Sequence, residues 1–279
     1  MLKQNTFFFK LLACFFLLSI SGLVISQEDF RLRESNRNAT TTTMEDIQTE
    51  IKFGQDVAAR VLGRIPLYRN QKLTRYVALV GKAVAMYSSR NEIEFHFAVL
   101  DSDHANAYSA PGGYVFITRG ALSLMQDEAE LAAVLAHEIA HITEKHIVKE
   151  FKIKGKDSSQ LSGMSRMLGG GSDTARVAFF QAVDQAVKIL FETGFKQQDE
   201  LDADRVATLL LASTNYDPMA LKRYLKRIKD NHNQENQKKS THPATTARLT
   251  SLDQVLNDEG LTNVDFPRAQ NRFNQYGKL

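Results

Sequence analysis

The chain has 279 residues, of which 43% are hydrophobic, 24% charged and 9% aromatic, with a net charge of +3 and one cysteine. These values suit one large domain or two small ones and exclude collagen-like, low-complexity and multi-span membrane classes. A single cysteine excludes a disulfide framework within one chain, and the near-neutral charge argues against a nucleic-acid partner.

Lys3 and Lys10 flank a phenylalanine cluster, and a 15-residue apolar run over 11–25 follows, ending Val24-Ile25-Ser26. A spanning helix needs about 20 apolar residues, so the pattern predicts a secretory signal peptide over 1–26, cut before Gln27. Two other readings are an uncleaved signal anchor and a lipoprotein box at Leu11-Leu12-Ala13-Cys14; the apolar run after Cys14 speaks against the second. Cleavage leaves 253 residues, a net charge of +1 and no cysteine, which suits a periplasm or the cell exterior. Residues 27–44 are polar and threonine-rich and are expected to form a disordered linker. Asn38-Ala39-Thr40 is a glycosylation acceptor only in a eukaryotic secretory setting. A folded domain is expected over 45–258, with a tail over 259–279.

Asp46 is expected to cap a helix carrying Ile47, Ile51, Gly54, Ala58, Val61, Leu62 and Ile65, ended by Pro66. Leu73, Val77, Val80, Val84 and Tyr87 mark a second helix. Ile93, Phe95, Phe97 and Val99 alternate with Glu94, His96 and Ala98, the pattern of a half-buried strand. His96 and His104 read as solvent-facing or locally bonded. A Pro111-Gly112-Gly113 turn leads to a second strand over 114–118. Asp127, with Glu130 three residues on, is expected to cap a helix running to about Phe151. The lysine-, serine- and glycine-rich segment 152–174 reads as a mobile loop. It could be a lid, a peripheral membrane contact through its lysines and methionines, or a plain disordered insertion. Helices are predicted over 175–192, 199–212, 218–229 and 243–256, with no internal repeat.

The chemistry concentrates in His137-Glu138-Ile139-Ala140-His141. Histidines four apart share one helix face, so two imidazoles can reach one metal ion. Glu138, rotated about 100° from His137, clears the ligand set yet can reach a metal-bound water as general base. Two histidines are too few for a zinc site. One metalloprotease class takes a third histidine six residues after the second, but Ile147 stands there; His146 is one residue off register and reads as a surface residue. The other class takes a glutamate from a later helix. Glu200 supplies it, with Asp204 on the same face to accept the outer N–H of His137. Asp199 and Asp202 read as solvated. The expected cofactor is one Zn²⁺ per chain, held by His137, His141 and Glu200 with one position left open for water.

With these residues go Asn106-Ala-Tyr-Ser-Ala-Pro-Gly-Gly-Tyr-Val-Phe-Ile-Thr-Arg-Gly120, Glu200-x-x-Ala-Asp204, Thr241-His242-Pro243 and Arg248. Together, over roughly 46–255, they resemble the zinc metalloproteases related to the HtpX and CAAX-prenyl proteases, and more closely their soluble exported branch. The resemblance implies a gluzincin fold: α+β, mainly helical, with a small sheet beside the HExxH helix. It also implies an endopeptidase of the bacterial periplasm, free or associated with the outer membrane, acting on unfolded, misfolded or stalled envelope proteins. Membrane members of the family carry several spanning helices, and other members carry a helical-repeat tail; neither is expected here.

The resemblance places the Thr-His-Pro loop near the site, making His242 and Arg248 candidates to stabilise the oxyanion. His242 could instead cap the metal and hold a latent state, or Thr-His-Pro could merely cap the last helix. Tyr114, Val115 and Phe116 could offer an edge strand to an extended substrate, or form a core strand. Two other classes compete with the enzyme: a non-cutting, chaperone-like envelope protein using the same cleft, and a structural zinc protein. Retention of Glu138 favours the enzyme over the first, and the open position speaks against the second.

Overall fold

The structure is a computed structural model that describes residues 42–153, 173–230, 241–242 and 245–278. All of these lie in one compact unit, 40–279. The predicted signal peptide, nearly all of the predicted linker, most of the segment 152–174 and Pro243 lie outside the described residues.

Helix α1 (Met44–Arg64) is capped by Thr43, not Asp46. The Thr43 hydroxyl accepts from Asp46 N at 3.1 Å, and the Asp46 carboxylate accepts from Thr43 N at 3.0 Å, a reciprocal capping box. The helix stops at Ile65, which is extended, as the residue before Pro66 prefers. Asn70 caps α2 (Gln71–Ala85), which buries Leu73, Val77, Val80 and Val84 on one face as their spacing predicts. Tyr87 lies beyond its end.

Three strands follow: β1 (His96–Leu100), β2 (Ala107–Ala110) and β3 (Tyr114–Thr118), in spatial order β1-β3-β2. β3 runs parallel to β1 and antiparallel to β2. The strand carrying Tyr114, Val115 and Phe116 is therefore central. Its backbone groups are paired on both sides, and the expectation that it offers an edge to substrate is corrected. The edge beside the HExxH helix is β2. The β2–β3 turn places Gly112 and Gly113 at φ +74° and +98°, which only glycine adopts freely. A Cβ on Gly54 would lie 1.6 Å from the Pro111 carbonyl oxygen, so α1 rests directly on this turn.

The pleat sends successive side chains to opposite faces. Phe97, Val99, Val115 and Ile117 pack into a core shared with α2 and the HExxH helix. Leu100, Tyr108 and Phe116 pack on the other side with Phe53 and Val57 of α1 and Phe179 and Val183 of α6 (Asp173–Lys188). The sheet is a middle layer between helices.

After the short α3 (Arg119–Ser123) comes α4 (Glu128–Thr143), the HExxH helix, every residue of which is buried. Asp127 Oδ1 accepts from Glu130 N at 2.9 Å, while Glu130 reaches one residue further back, to Gln126 N at 2.9 Å. Ala129, Ala132, Ala133, Ala136 and Ala140 let neighbours approach closely on several sides. The helix ends at Thr143 rather than near residue 151. Lys145 turns left-handed, at φ 57° and ψ 38°, and α5 (His146–Glu150) starts in a new direction.

A single π turn, Ile189–Thr193, ends α6. Helices α7 (Gln197–Ser213), α8 (Ala220–Asp230) and α9 (Thr246–Asp258) follow close to their predicted positions. The segment expected as a tail contains α10 (Gln270–Tyr276). Phe273, 1% exposed, enters the α4 core from it, and Arg272 pairs with Glu128. The architecture is the mainly helical α+β arrangement, with a small sheet beside the HExxH helix, that the resemblance implies.

Candidate metal centre

α4 presents His137 and His141 one turn apart, and α7 brings Glu200 and Asp204 against them. His137 Nε2 and His141 Nε2 lie 3.1 Å from each other. Each is 3.5 Å from an oxygen of Glu200. His242 Nδ1 joins them, 3.3 Å from His137 Nε2 and 2.8 Å from Glu200 Oε1. These four residues each place one ligand atom within 4.8 Å of all the others. In a tetrahedral zinc shell with bonds of about 2.0–2.1 Å, ligand atoms sit about 3.3 Å apart. Buried lone pairs that face one another at this separation are reconciled by a cation, so the donor set fits a metal ion in both spacing and chemistry. With thiols absent from the group, nitrogen and carboxylate oxygen are the only donors.

Asp204, 1% exposed, lies with Oδ1 2.9 Å from His137 Nδ1, within reach though off line for a linear hydrogen bond. Arg248 is buried and donates Nε and Nη2 to the two Asp204 oxygens at 2.7 and 2.6 Å, while its Nη1 forms an ion pair with Glu200 Oε2 at 2.7 Å. The guanidinium is thus held by two carboxylates. This corrects the expectation that Arg248 faces an oxyanion: its guanidinium is turned instead onto both acids of α7.

Electrostatics follow from burial and these pairings. Burial opposes the charge on Glu200, but His242 and Arg248 outweigh it and hold the carboxyl well below its usual range. Asp204 is lowered likewise, against burial, by Arg248 and His137. Burial and Arg248 oppose a second proton on His137, yet Asp204 and Glu200 prevail and raise it to about 9. His141 is pushed well below the usual imidazole range, first by burial.

Glu138 is 1% exposed and points into the same space from the adjoining face of α4. Its Oε2 accepts from Ser109 Oγ of β2 at 2.8 Å, and its Oε1 is 3.6 Å from His242 Nε2. Beside it a cavity is lined by Ala107, Val134, Leu221, Tyr224, Leu225 and Ile228 among others. Asn106 Nδ2 donates to Thr241 Oγ1 at 3.2 Å, tying the residue before His242 to the start of β2.

Three contributors escaped the reading of the sequence. Ser109 carried no signal, because its role depends on sheet topology. Phe195 stacks on His141, with ring centroids 3.9 Å apart and planes at 18°. His146, expected at the surface, is buried with Nδ1 2.8 Å from His141 Nδ1. His96 is exposed and stacks on Tyr114, and His104 is exposed, as expected.

Comparison with known proteins agrees with this geometry. The model of peptidase family M48 matches residues 69–256. The chain is 27% identical over 212 residues to the beta-barrel assembly-enhancing protease of Escherichia coli (strain K12), an alignment covering 73% of this chain and 43% of that protein. It is 27% identical over 221 residues to the mitochondrial metalloendopeptidase OMA1 of Schizosaccharomyces pombe, covering 74% of this chain and 61% of the relative. The chain thus spans less than half the length of the first of these relatives and under two thirds of the second.

Proposed function

Because the chain belongs to peptidase family M48, we propose that it is a zinc-dependent endopeptidase that cleaves unfolded or misassembled envelope proteins after export to the periplasm. The observation that carries this reading is the convergence of His137 Nε2, His141 Nε2 and Glu200 on one point, with the Glu138 carboxylate alongside. The N-terminal charge and apolar pattern supports export, and the name of the Escherichia coli relative ties that protein to β-barrel assembly. Among the described residues no helix is long and apolar enough to cross a membrane.

His137, His141 and Glu200 would hold the ion. Zinc bound there supplies Lewis acidity toward water and the scissile carbonyl. Glu138 takes a proton from the attacking water and returns it to the leaving amine. Ser109 holds one Glu138 oxygen by its hydroxyl, leaving the other for that transfer. Arg248 fixes the two α7 acids, and Asp204 in turn orients His137. An extended substrate pairs along β2, with an apolar side chain in the cavity under Val134 and Leu225.

Substrate cleavage by the purified protein is tested on an unfolded protein, with and without a zinc chelator, beside Glu138→Gln and His242→Ala. Cleavage that both the chelator and Glu138→Gln abolish supports the reading. Equal cutting by the parent and Glu138→Gln overturns the role of Glu138. No cutting by the parent or by His242→Ala favours a non-cutting binding protein.

The position of His242 supports a second element. Its Nδ1 sits within the ligand group, where water must enter, which favours a capped, latent state over oxyanion stabilisation. Under capping, His242→Ala raises activity; under oxyanion stabilisation it lowers it.

A further inference from the structure

We propose that His146 is a positioning residue for the metal centre, holding His141 in the tautomer and ring orientation that present Nε2 to the ion. The inference rests on reading His137, His141 and Glu200 as ligands, and adds to them a residue that touches no metal.

The two nitrogens His141 Nδ1 and His146 Nδ1 are 2.8 Å apart and buried, so one proton must lie between them. His141 Nε2 faces His137 Nε2 and Glu200, and a ligand nitrogen there must offer a lone pair. The His141 proton is therefore on Nδ1, and His146 Nδ1 accepts it. The His146 proton then sits on Nε2, 4.0 Å from Asp199 Oδ1. Phe195 stacks on the His141 ring and limits its rotation. The two ligand histidines thus have unlike outer neighbours, a carboxylate for His137 and a neutral imidazole for His141. Such outer contacts orient metal-binding imidazoles and set their basicity.

The backbone is shaped to make this contact. On an unbroken helix His146, five residues after His141, would be rotated about 140° away from it. The left-handed turn at Lys145 breaks the helix and folds His146 back. No glycine eases that turn, and left-handed lysines are uncommon. Arg90, itself paired with Glu50 at 2.9 Å, donates from Nη1 to the Ile142 carbonyl at 3.0 Å and so fastens the end of α4 where the break begins.

The test measures zinc affinity of the full chain by competition with a chromophoric chelator, together with the visible spectrum of the Co²⁺ form. His146→Asn places an amide oxygen where Nδ1 was; His146→Gln carries its oxygen past that point; His146→Leu offers no acceptor. Leu and Gln are expected to weaken zinc about 10- to 100-fold and alter the Co²⁺ bands, with Asn within about threefold of the parent. Leu binding as tightly as the parent, or Asn and Gln weakening it equally, overturns the inference. Should His146→Leu not fold, the contrast between Asn and Gln decides. His141→Ala separates the two levels. If it binds zinc as well as the parent, the ligand reading falls and this inference with it. If it loses zinc while His146→Leu keeps it, only the positioning role falls.

Discussion

Ser109 Oγ lies 2.8 Å from Glu138 Oε2, joining the edge strand β2 to the proposed base on α4. The hydroxyl donates to a buried carboxylate, and a hydrogen bond to a charged group contributes about 1.5–3 kcal/mol. Ser109→Ala should free the Glu138 rotamer without touching the ligands. We expect kcat to fall about 10-fold or more, with KM and zinc content little changed. Steady-state kinetics beside metal analysis checks this; an unchanged kcat would remove Ser109 from the mechanism.

Arg248 bridges Asp204 and Glu200, and all three are almost fully buried. Removing one partner of a buried ionic group costs about 3–5 kcal/mol, because the remaining charges are stranded. Arg248→Gln should therefore lower unfolding free energy by that order in chelator-treated protein, as read by denaturant titration. The loss should exceed that of Lys222→Gln, whose partner Asp253 lies at the surface.

Glu128 gives a pH signature remote from the metal site. Burial works against its charge, but Arg272, Tyr216 and Tyr76 hold its carboxyl below the usual range. A depressed folded-state value stabilises the fold above the unfolded carboxylate pKa, and that stability is lost as pH falls through the folded value. Glu128→Gln should cost about 1–2 kcal/mol at pH 7, allowing for the exposure of Arg272. The gap between variant and parent should narrow below about pH 4.5, as measured by thermal unfolding across pH. A gap constant down to pH 3 would deny the linkage.

Much of this was legible because the signals were local. The Asp127 cap, the i and i+4 histidines and the later Glu200–Asp204 pair each need only helix periodicity. Other features were decided elsewhere in the chain. β2 is four residues, Ala-Tyr-Ser-Ala, buried on both faces, so no alternation marks it. Without it, β3 could not be recognised as the central strand. The break at Lys145 lacks glycine or proline, and tertiary contacts at Ile142, His141 and Lys145 itself, whose Nζ donates to Thr42 Oγ1, hold it. Arg248 read as a candidate oxyanion donor, because its two carboxylate partners appear only when α9 lies against α7.

Helix α10 was hidden for the same reason, since Phe273 is its one buried residue amid polar neighbours. Yet α10 and the residues just before it anchor the start of the HExxH helix. The Arg268 carbonyl accepts from Ala129 N at 3.1 Å, satisfying one of the N–H groups that a first helical turn leaves open. Phe273 fills the core below, with Gly277 packed so close to its ring that an added Cβ would lie 2.4 Å away. Phe273→Ala should cost about 3–5 kcal/mol of unfolding free energy through lost burial and the cavity left behind. Gly277→Ala should cost less, since the ring can shift. The proposed ligands come from α4 and α7, so zinc affinity of the folded Phe273→Ala protein should remain near that of the parent. Denaturant unfolding and chelator competition on the same samples separate these effects. A metal affinity that falls along with stability would mean that α10 also sets the geometry of His137 and His141.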